Sequence, residues 1–160
     1  MQAHVWALIF LITAAALLSG CSFLFKDPEI SVEKVTPVSF SMNELILDVT
    51  LNVTNPNSMG ITLKNLSFDV YYQKGTEWVY LSHGEQQGIR INPGENEVTV
   101  PVTIQTSALA GSLLDLLTSG EITLQIRGVA SPDLFVITPK VPFTRTMTFP
   151  LNTLTDMVSR

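Results

Sequence analysis

Residues 45–72 constrain the fold more than any other stretch of this chain. They read LILDVTLNVTNPNSMGITLKNLSFDVYY. In the first half, Leu45, Leu47, Val49, Leu51 and Val53 share one parity, and Asp48, Thr50, Asn52 and Thr54 the other. A period of two marks a strand with one face buried and one face wet. In the second half, Ile61 and Leu63 are followed by Leu66, Phe68, Val70 and Tyr72. The apolar parity slips by one at Lys64-Asn65. An uncorrected slip would turn every later side chain to the wrong face, so the spacing predicts a β-bulge or bend there. Between the two runs, Pro56 lacks a donor and keeps Asn55 out of the helical region. Asn55 and Asn57 carry side chains that bond nearby backbone and tolerate turn dihedrals. These residues specify fold, and they carry no evident chemistry.

The rest of the chain repeats the pattern. Ile30 and Val32 alternate with Ser31 and Glu33 in a first strand. Thr36-Pro37 ends or bends it, and Val38 and Phe40 continue it. The segment around Gly75 has turn character, with 78–83 returning as a hairpin partner. Residues 84–88 read as a loop and 89–91 as a short extended piece. Asn92-Pro93-Gly94 is a turn. Val98, Val100, Val102 and Ile104 form another half-buried strand, in which Pro101 indicates an edge or a bulge. The period then changes. Leu109, Leu113, Leu116 and Leu117 have helical spacing, Thr106 or Ser107 can cap, and Gly120 suits the C-terminal end, predicting one helix at about 108–119. Ile122, Leu124 and Ile126 resume alternation, and Gly128 marks a bulge or a close backbone approach. Phe135, Ile137, Val141, Phe143, Met147 and Phe149 share a last parity. Pro139 and Pro142 bend that run or place it at an edge, and Arg145 on the same parity sits at the rim or snorkels. About seven strands with regular turn signals predict an all-β fold, an antiparallel seven-stranded β-sandwich with one α-helix.

The N-terminus has a different character. Its first 20 residues contain no Lys, Arg, Asp or Glu. The apolar run 5–18 has the length of a signal-peptide core rather than of a membrane span. It ends in Leu18-Ser19-Gly20-Cys21, which resembles a lipobox, and Cys21 is the only cysteine. That resemblance implies cleavage before Cys21 and a lipid on its sulfur. The alternative is an uncleaved anchor helix. Residues 1–20 are therefore read as a signal peptide and 21–29 as a lipidated tether. Within the tether, Phe23, Leu24 and Phe25 lie against lipid or pack on the domain. The expected location is the cell envelope, outside the cytoplasmic membrane.

Composition excludes several function classes. The chain carries 9 basic and 14 acidic residues, a net charge of −5. With no basic patch to meet phosphates, nucleic acid is not an expected partner. One cysteine allows no internal disulfide and no thiolate metal cage. Beyond the signal segment the only histidine is His83. No Gly-x-Ser-x-Gly context accompanies it, so it is read as an exposed hairpin-end residue rather than a catalytic base. His83-Gly84-Glu85 lacks a third metal ligand, and Glu95 and Glu97 read as a solvated edge. No catalytic, cofactor or metal residue is assigned. Asn52 and Asn65 match the glycosylation sequon. Thr50, Asn52 and Thr54 lie on the predicted wet face. Tyr71, Tyr72, Trp78 and Tyr80 cluster around one hairpin, as cross-strand packing or, if exposed, as a binding surface.

Together, Val53-Thr54-Asn55-Pro56-Asn57, Ile61, Leu66-Ser67-Phe68-Asp69-Val70-Tyr71, Pro93-Gly94, 98–102, the Leu-rich helix, Gly120, Gly128 and Val141-Pro142-Phe143 resemble the late embryogenesis abundant type 2 family. This family is also called the water stress and hypersensitive response domain. The resemblance spans residues 30–149. It implies a seven-stranded sandwich similar to fibronectin type III, a role in desiccation and stress protection, and no enzymatic activity or cofactor. Asn55, Pro56 and Asn57 are its structural motif. Prokaryotic members with a lipobox suit this N-terminus. The expected organisation is a domain at 30–150 with a tail at 151–160. The expected function is that of a non-enzymatic, membrane-anchored stress-protective lipoprotein, with an envelope binding module as the alternative. Its partners would be the membrane, through the lipid anchor, and proteins or glycans at the surface.

Overall fold

The parity slip at Lys64 is a bulge, and the two long strands around the Asn-Pro-Asn turn form. The computed structural model describes residues 25–41, 43–105, 107, 120–134 and 137–150. Seven strands follow in order: β1 (Glu29–Phe40), β2 (Glu44–Asn55), β3 (Ile61–Lys74), β4 (Glu77–Ile91), β5 (Gly94–Gln105), β6 (Glu121–Asp133) and β7 (Val141–Pro150). They form a three-stranded sheet in the order β1-β2-β5 and a four-stranded sheet in the order β4-β3-β6-β7. Every pairing is antiparallel. This is the predicted sandwich. The predicted signal peptide, Cys21, the helix at 108–119 and the tail lie outside the described residues.

The alternating residues of the two sheets face one another. Leu47, Val49, Leu51 and Val53 of β2 and Val98, Val100, Val102 and Ile104 of β5 are buried. So are Leu63, Leu66, Phe68, Val70 and Tyr72 of β3 and Leu124 and Ile126 of β6. The β3–β6 register shifts between Leu63 and Asn65. This bulge returns Leu66 to the core face and keeps both halves of β3 apolar inward. In β1 the register shifts twice, after Val32 and after Pro37. The second shift leaves Val38 outside the ladder, where it is exposed.

Three expectations need correction. Residues 84–88 are not a loop, because β4 runs unbroken to Ile91. His83 is consequently mid-strand rather than at a hairpin end. Polar and glycine residues disguised the strand, which lies at a sheet edge and buries few side chains. Second, Thr50 is not wet. It is 2% exposed and its hydroxyl lies 3.2 Å from that of Thr99. It sits on the central strand of its sheet, covered by the neighbours on both sides. Third, Ile137 is outside the last strand and exposed, since β7 starts only at Val141. Pro101 and Pro142 do lie on edge strands, as proline requires.

Gly128 shows why a glycine interrupts β6. It pairs with Phe68 on one side and Phe143 on the other. A Cβ there would overlap the Phe143 ring and come within 2.6 Å of Phe68 Cβ and 2.7 Å of Ser67 O. Gly84, across from Phe68 on the other side, would place a Cβ 2.5 Å from the Phe68 ring tip. The two phenylalanine rings are tilted with centroids 6.4 Å apart. Gly128→Ala is expected to lower unfolding stability by about 3 kcal/mol, the upper end of overpacking costs, because the Ser67 carbonyl is backbone and cannot rotate aside. Urea denaturation measures this. Adding Phe143→Leu should recover only part of the loss, since the carbonyl clash remains.

Candidate functional site

Two arrangements stand out on the surface of this core. The first is built by the Asn-Pro-Asn turn. Asn55 ends β2 with its side chain buried. Its Oδ1 accepts from the backbone N–H of Asn57 at 3.1 Å, an Asx turn, and from Asn57 Nδ2 at 2.9 Å. Its Nδ2 donates to the Met59 carbonyl at 2.9 Å. The oriented Asn57 amide then binds the backbone of Lys26. Lys26 N–H donates to Asn57 Oδ1 at 2.8 Å, and Asn57 Nδ2 donates to Lys26 O at 2.8 Å. One side chain thus acts as a rung of a β-ladder for a segment 31 residues away. Pro28 is buried, and Phe25 packs on the core from its edge. The tether from Phe25 onward is therefore part of the domain. Asn55 and Asn57 bond the nearby backbone as turn residues do, and the partner of Asn57, the Lys26 backbone, carries no signal in the sequence.

A neighbouring turn uses the same device. Asn96 accepts from the Asn92 N–H at 2.9 Å and donates to Asn92 O at 2.8 Å and Gly94 O at 3.0 Å. This fixes the β4–β5 crossover between the sheets. Pro93 and Gly94 mark this turn in the sequence, whereas the role of Asn96 has no local signal.

The second arrangement lies on the outer face of the four-stranded sheet. Asp69 is directly opposite His83 on β4 and Arg127 on β6. His83 Nδ1 is 2.8 Å from Asp69 Oδ1, and its Nε2 is 4.0 Å from Glu85 Oε2. Tyr71 and Tyr80 meet edge to face at 5.9 Å. The Arg127 guanidinium lies 5.0 Å from the Tyr71 ring centre and 6.0 Å from that of Trp78. At an exposed site such a contact contributes about 0.5–1 kcal/mol. Arg127 Nε also donates to Gln125 Oε1, and Gln125 Nε2 donates to Thr146 Oγ1 at 3.0 Å. Tyr80 is 54% exposed, whereas Tyr72 points into the core. The predicted aromatic cluster is thus divided between the two faces of the sheet.

The polar and aromatic groups of this surface pair with one another across the strands. A nucleophilic triad needs a hydroxyl or thiol at the second imidazole nitrogen. Here that nitrogen faces a carboxylate. Among the described residues, no three His, Cys, Asp or Glu side chains converge as a metal site. Glu95 and Glu97 are exposed on β5, opposite Thr54 and Asn52. Arg145 is exposed on the edge strand β7, as the rim reading expects. Asn52 is half-buried on the outer face of β2. Asn65 sits at the bulge with its Oδ1 buried and without a hydrogen-bond partner.

Two antiparallel sheets packed face to face, joined by an asparagine-built turn, define the class of small β-sandwich domains. The chain belongs to the late embryogenesis abundant type 2 family, whose profile matches residues 50–147. It is 34% identical to an uncharacterized protein of Methanocaldococcus jannaschii over 84% of this chain and 77% of that one. A second protein of the same organism is 29% identical over 71% of this chain but only 26% of its own length. Among solved structures, an Arabidopsis thaliana protein aligns with TM-score 0.63 at 17% identity, covering 79% of this chain and 83% of that one. A putative late embryogenesis abundant protein aligns with TM-score 0.59 at 19% identity, covering 98% and 88%. These structural likenesses show the shared fold.

Asn55→Ala and Asn57→Ala should behave differently. Loss of the buried Asn55 amide leaves the Met59 carbonyl and the turn unpaired, at a cost of about 1–3 kcal/mol in global stability. Asn57→Ala releases mainly the tether. Its unfolding midpoint should shift little, while limited proteolysis around Lys26 becomes much faster. Equal global losses for the two variants would contradict the clamp.

Proposed function

We propose that this protein is a non-enzymatic lipoprotein, held on the outer side of the cytoplasmic membrane by a lipid on Cys21. Its late embryogenesis abundant domain acts there in protection against water loss. The observation that carries the reading is the join between anchor and domain. The lipobox-like Cys21 lies four residues before Phe25, where the chain is already packed on the sandwich. A single acyl chain anchors only marginally, so membrane residence also calls for a second chain or surface contacts.

The interior is suited to a drying environment. The two buried polar residues among those described are bonded by protein groups, Thr50 by Thr99 and Asn55 by Asn57 and Met59. Asn65 Oδ1 is the exception. A core satisfied by its own groups loses few hydrogen bonds when bulk water is withdrawn.

A second reading is favoured by the outer sheet face. Tyr, Trp and Arg are the residues most enriched at binding hot spots, and Tyr71, Tyr80, Trp78 and Arg127 form one cluster. On that reading the domain holds a protein or glycan of the envelope.

One complementation experiment tests both. A deletion strain should lose survival of drying and osmotic shock, and the wild-type gene should restore it. Cys21→Ser should restore neither membrane retention nor survival. Unchanged survival in the deletion strain would sink the protective role. Loss of rescue by a stable, anchored Tyr80→Ala, Arg127→Ala variant would favour the binding module.

A further inference from the structure

The strands group their connections at two ends of the sandwich, and one end receives the tether. Asn55, which ends β2, pairs with Gly94, which starts β5. Ile61, which starts β3, pairs with Ile91, which ends β4. Thr62 pairs with Asp133 at the end of β6. The β2–β3 turn, the β4–β5 turn and the β6–β7 connection therefore share one end. The Asn57 clamp fixes Lys26 to that same end. Lys64 Nζ reaches both Asp133 at 3.2 Å and Thr138 Oγ1 at 3.3 Å, joining the β6–β7 connection to the base of β3.

This end also carries two exposed apolar side chains. Met59 in the β2–β3 turn is 49% exposed, and Ile137 in the β6–β7 connection is 59% exposed. The remaining large exposed hydrophobics among the described residues, Val38 and Tyr80, lie away from it, at the β1 bulge and on the outer sheet face. Among the described residues, the opposite end carries the Ser41 turn and the Gly75-Thr76 hairpin, both polar; the β5–β6 connection, which also joins there, lies largely outside the described residues.

We propose that the end formed by the Asn-Pro-Asn turn and the β6–β7 connection rests on the lipid surface, with Met59 and Ile137 inserted at the interface. The proposal rests on the lipid anchor at Cys21. From Phe25, a fully extended chain of four residues reaches at most about 14 Å, so the anchor holds this end close to the bilayer. Lys26, Lys64, Arg90 and Lys140 at this end are balanced by Asp27, Glu29, Glu95 and Asp133. Apolar insertion and the anchor, rather than anionic lipid, supply the attraction, so the orientation is insensitive to salt. Along β3 from Ile61 to Tyr71 the ten residue-to-residue steps span about 33 Å, which holds the Tyr71–Tyr80–Arg127 surface well above the membrane.

The test uses the protein expressed from the full-length gene, purified in detergent and reconstituted into phosphatidylcholine vesicles containing nitroxide-labelled lipid. Met59→Cys, Ile137→Cys and Thr76→Cys variants carry an environment-sensitive thiol fluorophore. All three positions are exposed, and unchanged melting confirms the fold. The lipid label should quench fluorescence at positions 59 and 137 and leave position 76 unaffected, in low and high salt alike. The wild type should take no label, because its only cysteine is blocked by lipid. Equal quenching at all three positions, or none at 59 and 137, with the wild type unlabelled, would overturn the orientation and leave the anchor intact. Labelling of the wild type at Cys21 would overturn the anchor and the orientation with it.

Discussion

Phe68 sets the geometry on which the rest of this sandwich depends. Its ring lies at the centre of the four-stranded sheet, and its neighbours across both ladders are glycines, Gly84 and Gly128. Either Cβ would collide with Phe68, and the Gly84 Cβ would also touch Val102 of the facing sheet at 3.0 Å. The ring thus occupies the space of three strand positions and helps set the distance between the sheets. Because side chains alternate, turning Phe68 and Gly128 inward turns Asp69 and Arg127 outward. The Asp69–His83 and Arg127–Tyr71 contacts on the outer face are therefore a consequence of how the core is filled.

The sequence made some of this legible. β2 and β5 alternate because each has one apolar and one polar face, and burial follows the pattern at every position but Thr50. The bulge at Lys64 was readable because strict alternation that slips once and then resumes requires one extra residue on that strand. β4 was not readable past His83, since an edge strand that buries only Leu81, Gly84 and Ile91 leaves no periodic apolar signal. Thr50 defied its parity because a central strand can bury its outer face beneath neighbours that sequence does not identify.

The site was less legible than the fold. Asn55 and Asn57 announced a turn through their local bonding capacity, but nothing local points from Asn57 to Lys26. The Asp69–His83 pair needs the β3–β4 register, which includes a shift at Val70–Tyr71. The contact of Arg127 with both Tyr71 and Trp78 needs two registers at once. Pairwise chemistry across strands is set by tertiary structure, and one-dimensional periodicity carries none of it.

The clamp gives the family motif a mechanical meaning. A buried asparagine orients a second one, and that side chain holds the incoming backbone, so a force on the tether is delivered to the sandwich itself. The intact mass of the protein purified from its native membrane tests the account most directly. Loss of residues 1–20 with lipid mass added at Cys21 is the predicted result. A full-length mass without lipid would contradict the anchored account.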